Sequence, residues 1–183
     1  MSLLALIAAA ALQAQAPAPP PEAAPAPLSF APFTVEVNVA FKRNREVGAC
    51  TVTAHGTPDA HWIDDACRNI GNSAFLALHG APADAAGRMT FLLSLEAAGR
   101  VAAPATTPQG RVTFRTEARF AVTPAGAVIR CTRGESVGRG ARVDLCAAGL
   151  PRGNAFAPAA EERTGRLTLT AYTLTAPGRG EAP

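Results

Sequence analysis

Between Thr34 and Phe41 the chain alternates strictly, with Val35, Val37, Val39 and Phe41 set against Glu36, Asn38 and Ala40. A period of two is that of a half-buried strand. Cys50-Thr51-Val52-Thr53 predicts a second strand with Cys50 and Val52 on one face, and the charged stretch Lys42 to Gly48 is short enough to make the two a hairpin. The period then changes. Thr57 as cap, Pro58 at the first helical position and Asp59 in the first turn predict a helix running to about Asn69. Its apolar stripe is Ile63, Ala66, Cys67 and Ile70, and Gly71 and Asn72 suit its end. After a turn at Gly80 to Gly87, Arg88 to Glu96 predicts a third strand.

The same order returns further on, with strands at Arg111 to Val122 and Ala127 to Arg133, a short helix carrying Val143, Cys146 and Leu150, and a closing strand at Arg166 to Thr175. A shift of 81 positions carries Cys50 onto Cys131 and Val35, Val37 and Val39 onto Thr116, Ala118 and Phe120. A two-residue gap then brings Asp65 and Cys67 onto Asp144 and Cys146, and Phe75 falls on Phe156 once the register recovers. This is a duplication. The order strand, strand, helix, strand predicts an α+β protein of two tandem two-layer units, each an antiparallel sheet of about three strands covered by one helix. The units are placed at residues 33–98 and 111–176, with a linker at 99–110 and a flexible tail at 177–183.

Composition sets what surrounds these units. Leu3 to Leu12 is an uncharged apolar run followed by Ala14-Gln15-Ala16, so residues 1–16 read as a signal peptide cleaved near 14–16. The run is too short for a bilayer, which takes roughly 20 apolar residues. Residues 17–32 are almost entirely Ala and Pro and read as an extended tether. Export to the periplasm or beyond means that the four cysteines pair. Four cysteines allow three connectivities. Duplication favours the one in which each unit closes its own bridge, Cys50 with Cys67 and Cys131 with Cys146. A zinc site lacks the Cys-x-x-Cys pair that would supply two ligands from one turn.

Several motifs carry possible chemistry. Gly134-Glu135-Ser136-Val137-Gly138 matches the nucleophile elbow of serine hydrolases, with a strand before and a helix after, but no histidine follows His79 to act as base. His61 and Asp65 stand at helical i, i+4 spacing, two metal ligands without a third, and His55, His61 and His79 read as solvated surface residues. Asp65 recurs as Asp144, which points to a structural role near the helix start. Net charge is only +3, yet Arg130, Arg133, Arg139 and Arg142 cluster near the Gly-rich stretch of the second unit and form a candidate anion-binding patch for envelope lipid or polymer. Without interleaved aromatics the patch does not point to nucleic acid. No cofactor or metal is expected, and any membrane contact is peripheral.

Gly48-Ala49-Cys50-Thr51-Val52-Thr53 with Gly56, Ile63-Asp64-Asp65-Ala66-Cys67 and Phe75, then Gly126, Cys131, Val143-Asp144-Leu145-Cys146 and Phe156-Ala157-Pro158-Ala159, resemble the C-terminal domain of TonB-type energy transducers, in two degenerate copies. The apolar segment is too short for the membrane helix through which transducers couple to their motor. What the resemblance implies is therefore a sheet edge that receives an extended peptide through main-chain hydrogen bonds. Arg166 to Thr175 is the expected edge, with Leu167, Leu169, Ala171 and Thr173 on one face. The expected function is that of a non-enzymatic periplasmic binding or scaffolding protein engaging an envelope protein. The alternatives are a small hydrolase using Ser136 and a purely structural envelope protein.

Overall fold

The period-two segments form six strands: β1 (Phe33–Phe41), β2 (Val47–Gly56), β3 (Gly87–Ala97), β4 (Arg111–Val122), β5 (Val128–Gly138) and β6 (Arg163–Thr175). Four short helices accompany them, α1 (Ala60–Ile63), α2 (Ala66–Ile70), α3 (Ser73–Leu78) and α4 (Leu145–Ala148). The computed structural model describes residues 26–104, 106–138 and 143–175. The proposed signal peptide and the tail lie outside the described residues.

The six strands make one antiparallel sheet in the order β2-β1-β3-β6-β4-β5. This corrects the expectation of two tandem units, each a sheet with a helix. Each half does supply three strands, but β3 pairs with β6 along its whole length, from Gly87 opposite Thr175 to Ala97 opposite Gly165. The physical reason lies in the two apolar faces. Phe91 stands opposite Ala171, Leu93 opposite Leu169 and Leu95 opposite Leu167, so pairing fuses the two half-cores into one. It also satisfies two rows of backbone groups that separate units would leave open.

The two halves correspond in the register of their outer strand pairs. Val39 pairs with Cys50 as Phe120 pairs with Cys131, and Phe41 with Val47 as Val122 with Val128. Gly56 and Gly138 end β2 and β5 with the same φ of 80°, and a side chain there would strike the carbonyl of Pro32 or Thr113, which also correspond. The registers of the two outer pairs differ at one place: Gly134 and Glu135 stand together opposite Glu117, a bulge in β5 that β2 lacks at the matching position.

Val35, Val37, Phe91, Phe114, Leu167 and Ala171 point to one face and are buried there with Trp62, Leu76, Leu145 and Phe156. The helices cover this face. Cys50–Cys67 ties α2 to β2, and Cys131–Cys146 ties α4 to β5. The favoured pairing is therefore the one formed, and two disulfides place the chain in an oxidising compartment. No helix of the described residues is long and apolar enough to cross a membrane.

The helical region of the first half departs from expectation. A single helix to Asn69 is replaced by two pieces, α1 and α2, with α3 added beyond its expected end, and Asp59, not Thr57, stands at the first N-cap. Trp62 packs on Phe33 at one end of β1, with ring centroids 5.2 Å apart, whereas Cys67 must reach Cys50, which pairs with Val39 near the other end. Six strand residues span about 20 Å, while five helical residues advance only about 8 Å. The break at Asp64 and Asp65 supplies the missing length. Asn72, read as a helix end, caps α3 instead, its Oδ1 accepting from the Phe75 N–H at 2.8 Å. The end of the Ala/Pro-rich stretch also belongs to the fold: Leu28 bonds to Ala155 and Ala157, and Phe30 packs edge-on against Phe120 and Phe156.

Candidate functional site

β6 is not an edge. It pairs with β3 on one side and β4 on the other, and Leu167, Leu169 and Ala171 are buried beneath the helical layer, with Thr173 beside them on the same face. The expectation failed because period two reports which face a residue takes, not which strands flank it. Among the described residues the free edges are β2 and β5. Each presents a row of backbone N–H and C=O groups on its outer side, the chemistry needed to accept another strand.

The two edges are chemically different. β2 runs for ten residues, Val-Gly-Ala-Cys-Thr-Val-Thr-Ala-His-Gly, with no Lys, Arg, Asp, Glu or Pro. Gly48, Ala49, Thr51, Thr53 and Ala54 are exposed along it. Cys50 and Val52 turn toward the helical face, Thr51, Thr53 and His55 toward the other. His55 Nε2 stands 3.5 Å from Glu36 Oε2, an ion pair only when the imidazole is protonated. In β5, by contrast, exposed Ile129 and Val137 are separated by Arg130, Arg133 and Glu135, and the bulge at Gly134 interrupts the row.

The arginine patch is internally neutralised where it is described. Arg130 pairs with Glu162 and Arg133 with Asp144. Arg139 and Arg142 lie outside the described residues. Asp144 also accepts from the N–H groups of Cys146 and Ala147, capping α4. The Arg133 hydrogen bond, aided by these backbone N–H groups, holds the Asp144 carboxyl below the usual carboxylate range. Asp65, its counterpart, caps nothing with its side chain and pairs with Arg68 at 2.8 Å instead. A denser cluster that sequence reasoning missed sits on the helix-free face, where buried Glu117 meets Arg119 at 2.8 Å, Arg166 at 3.6 Å and Arg115 at 4.0 Å. Residues from β4 and β6 meet there, which no local motif could reveal.

Ser136 lies inside β5, not at a strand-to-helix elbow. Its hydroxyl is hydrogen-bonded to that of Thr116 at 3.1 Å. The Gly-rich stretch read as a turn is the bulge and end of a longer strand. His61 stacks edge-on against Trp62. Among the described residues no group of three or more His, Cys, Asp or Glu is placed to hold a metal ion. His79, read as a surface residue, is fully buried: it stacks on Phe114 at 4.2 Å and touches Phe75, with neither ring nitrogen hydrogen-bonded among the described residues. Burial lowers its pKa from 6.5 to about 4.

Comparison with protein-family models, with curated proteins and with solved structures found no match for the chain.

Proposed function

We propose that the protein is an exported, non-enzymatic binding module of the cell envelope that captures an extended peptide segment of a partner along the free edge of β2. The observation that carries this reading is the bareness of that edge. Natural edges are blunted by charge, proline or a bulge, as β5 is, because an open flat edge recruits strands indiscriminately. β2 has a bulge only near its start, where Gly48 and Ala49 face Ala40, and the seven residues from Cys50 to Gly56 carry none of these devices, which fits an edge whose partner is another chain. The resemblance to TonB C-terminal domains supports the same mode of capture on a different strand. The partner segment would place small apolar side chains beside Cys50 and Val52 and polar ones beside Thr51 and Thr53. The two disulfides agree with a periplasmic or secreted location.

An NMR titration with a synthetic octapeptide of alternating valine and threonine tests the reading. Amide shifts and new exchange protection are expected within Val47–Gly56 and absent from Val128–Gly138. A Thr51→Lys, Thr53→Lys variant should lose the response. Protection elsewhere, or none at saturating peptide, sinks the proposal.

A further inference from the structure

Each disulfide fastens its helix to an outer strand, α2 to β2 at one end of the sheet and α4 to β5 at the other. The helical cover is thereby drawn toward both ends and parts over the middle. There it leaves a cleft of about 540 Å³, within the range of about 300–1,000 Å³ found for small-molecule sites. Its floor is Val35, Val37, Leu93 and Leu169, from β1, β3 and β6. Leu93 stays only partly buried although its partners in register, Val35 and Leu169, are buried on either side. Trp62 forms one wall, Leu145 and Leu150 the other.

One polar atom is out of keeping with this lining. Trp62 is 7 % exposed, and its indole N–H is buried without a hydrogen-bond partner among the described residues. A buried donor left unpaired costs about 1–3 kcal/mol, and such groups are few in native proteins. The N–H is closed to water where the ring now lies, and a small turn of the indole toward the cleft it lines would let an acceptor atom there satisfy it. The rest of the polar lining restricts what that atom belongs to. His61, Asp65 and Asn69 stand at the cleft, and among the described residues no Lys or Arg lines it. A carboxylate or phosphate would give up its hydration and find no counter-charge in this lining, where Asp65 is itself paired with Arg68.

We propose that this cleft is a binding site for an uncharged, hydrocarbon-rich small molecule with one hydrogen-bond acceptor oxygen, its chain lying on the Leu93 floor and its oxygen accepting from Trp62 Nε1. The site is separate from the β2 edge, so either can fail while the other stands.

Trp62 is the single tryptophan of the chain, so its emission reports the cleft directly. Decan-1-ol titrated into the full chain should produce a saturable change in Trp62 emission. Decane, which lacks the oxygen, should bind about fivefold more weakly, the equivalent of one net hydrogen bond, and decanoate at pH 7 more weakly still. In Trp62→Phe, calorimetry should find decan-1-ol reduced to the affinity of decane while decane is unchanged. Ala66→Phe, which pushes a ring into the cleft, should abolish both. Equal binding of decane and decan-1-ol by the wild type, tightest binding of decanoate, or an unaltered preference in Trp62→Phe would overturn the proposal. A protein-concentration-dependent emission change with no probe added would do so too, by placing a second copy of the chain in the cleft.

Discussion

β2 and β5 hold equivalent places at opposite ends of one sheet and are each stapled to a helix by a disulfide, yet β5 is the more heavily defended. Arg130, Arg133, Glu135 and the Gly134 bulge break up its outer row, whereas β2 is uncharged throughout. Backbone pairing and core packing cannot explain this, since both strands meet the same demands on their inner sides. What differs is the side facing outward. The pair therefore separates what a strand needs for folding from what it needs to stay alone.

The largest effects should fall equally on the two ends. The disulfides close loops with sequence separations of 17 and 15. Chain-entropy arithmetic assigns each about 3 kcal/mol. Denaturant melts of Cys50→Ser, Cys67→Ser and of Cys131→Ser, Cys146→Ser should show losses of that size and alike. A marked inequality would mean that the two ends differ in more than their edges.

Acid should single out the first half, because the second has no histidine. Folded His79 is neutral down to about pH 4, while the unfolded chain takes up the proton near 6.5. The unfolded state binds more protons in that window, so stability is complete above pH 6.5, falls as pH drops to 4, and loses nothing more from this group below it. The fall is about 3 kcal/mol. His79→Leu should remove that part of the pH dependence, read from melts at pH 7 and pH 4.5.

The edges themselves should respond in association more than in stability. Thr51→Lys with Thr53→Lys should change stability by no more than about 0.5 kcal/mol while suppressing any strand-mediated self-association seen by light scattering. Arg130→Thr with Glu135→Thr should make β5 more adhesive, but less so than β2, because the bulge persists. Equal adhesiveness would show that charge alone made the difference. The smallest contrast is between the two helix starts: Asp144→Ala should lower the melting temperature more than Asp65→Ala, since only Asp144 caps a helix.

Much of this was legible in the residues. Alternation located β4 to the residue and β3 to within one at each end, and duplication chose the disulfide pairing. What escaped depended on long-range partners. Nothing in Arg88 to Glu96 or Arg166 to Thr175 says that the two strands lie side by side. β5 was cut short because Gly134 resembles a turn residue until Glu117 is seen filling the space above it. α3 carried a signal in the spacing of Phe75, Leu76 and His79, which would have marked the imidazole as buried, but Asn72 read more readily as an end than as a cap. The cleft at Trp62 follows from where two disulfides pull, a property of the assembled sheet.

The central position of β6 has a consequence for how the molecule is made. The last of the described strands fills the middle of the sheet, so a chain emerging N-terminus first must hold the inner edges of β3 and β4 open until residues 163–175 arrive. Such distant pairing closes slowly. Until it does, the nascent protein exposes two interior edges that the finished one hides, and a chain that stops short of Arg163 keeps both.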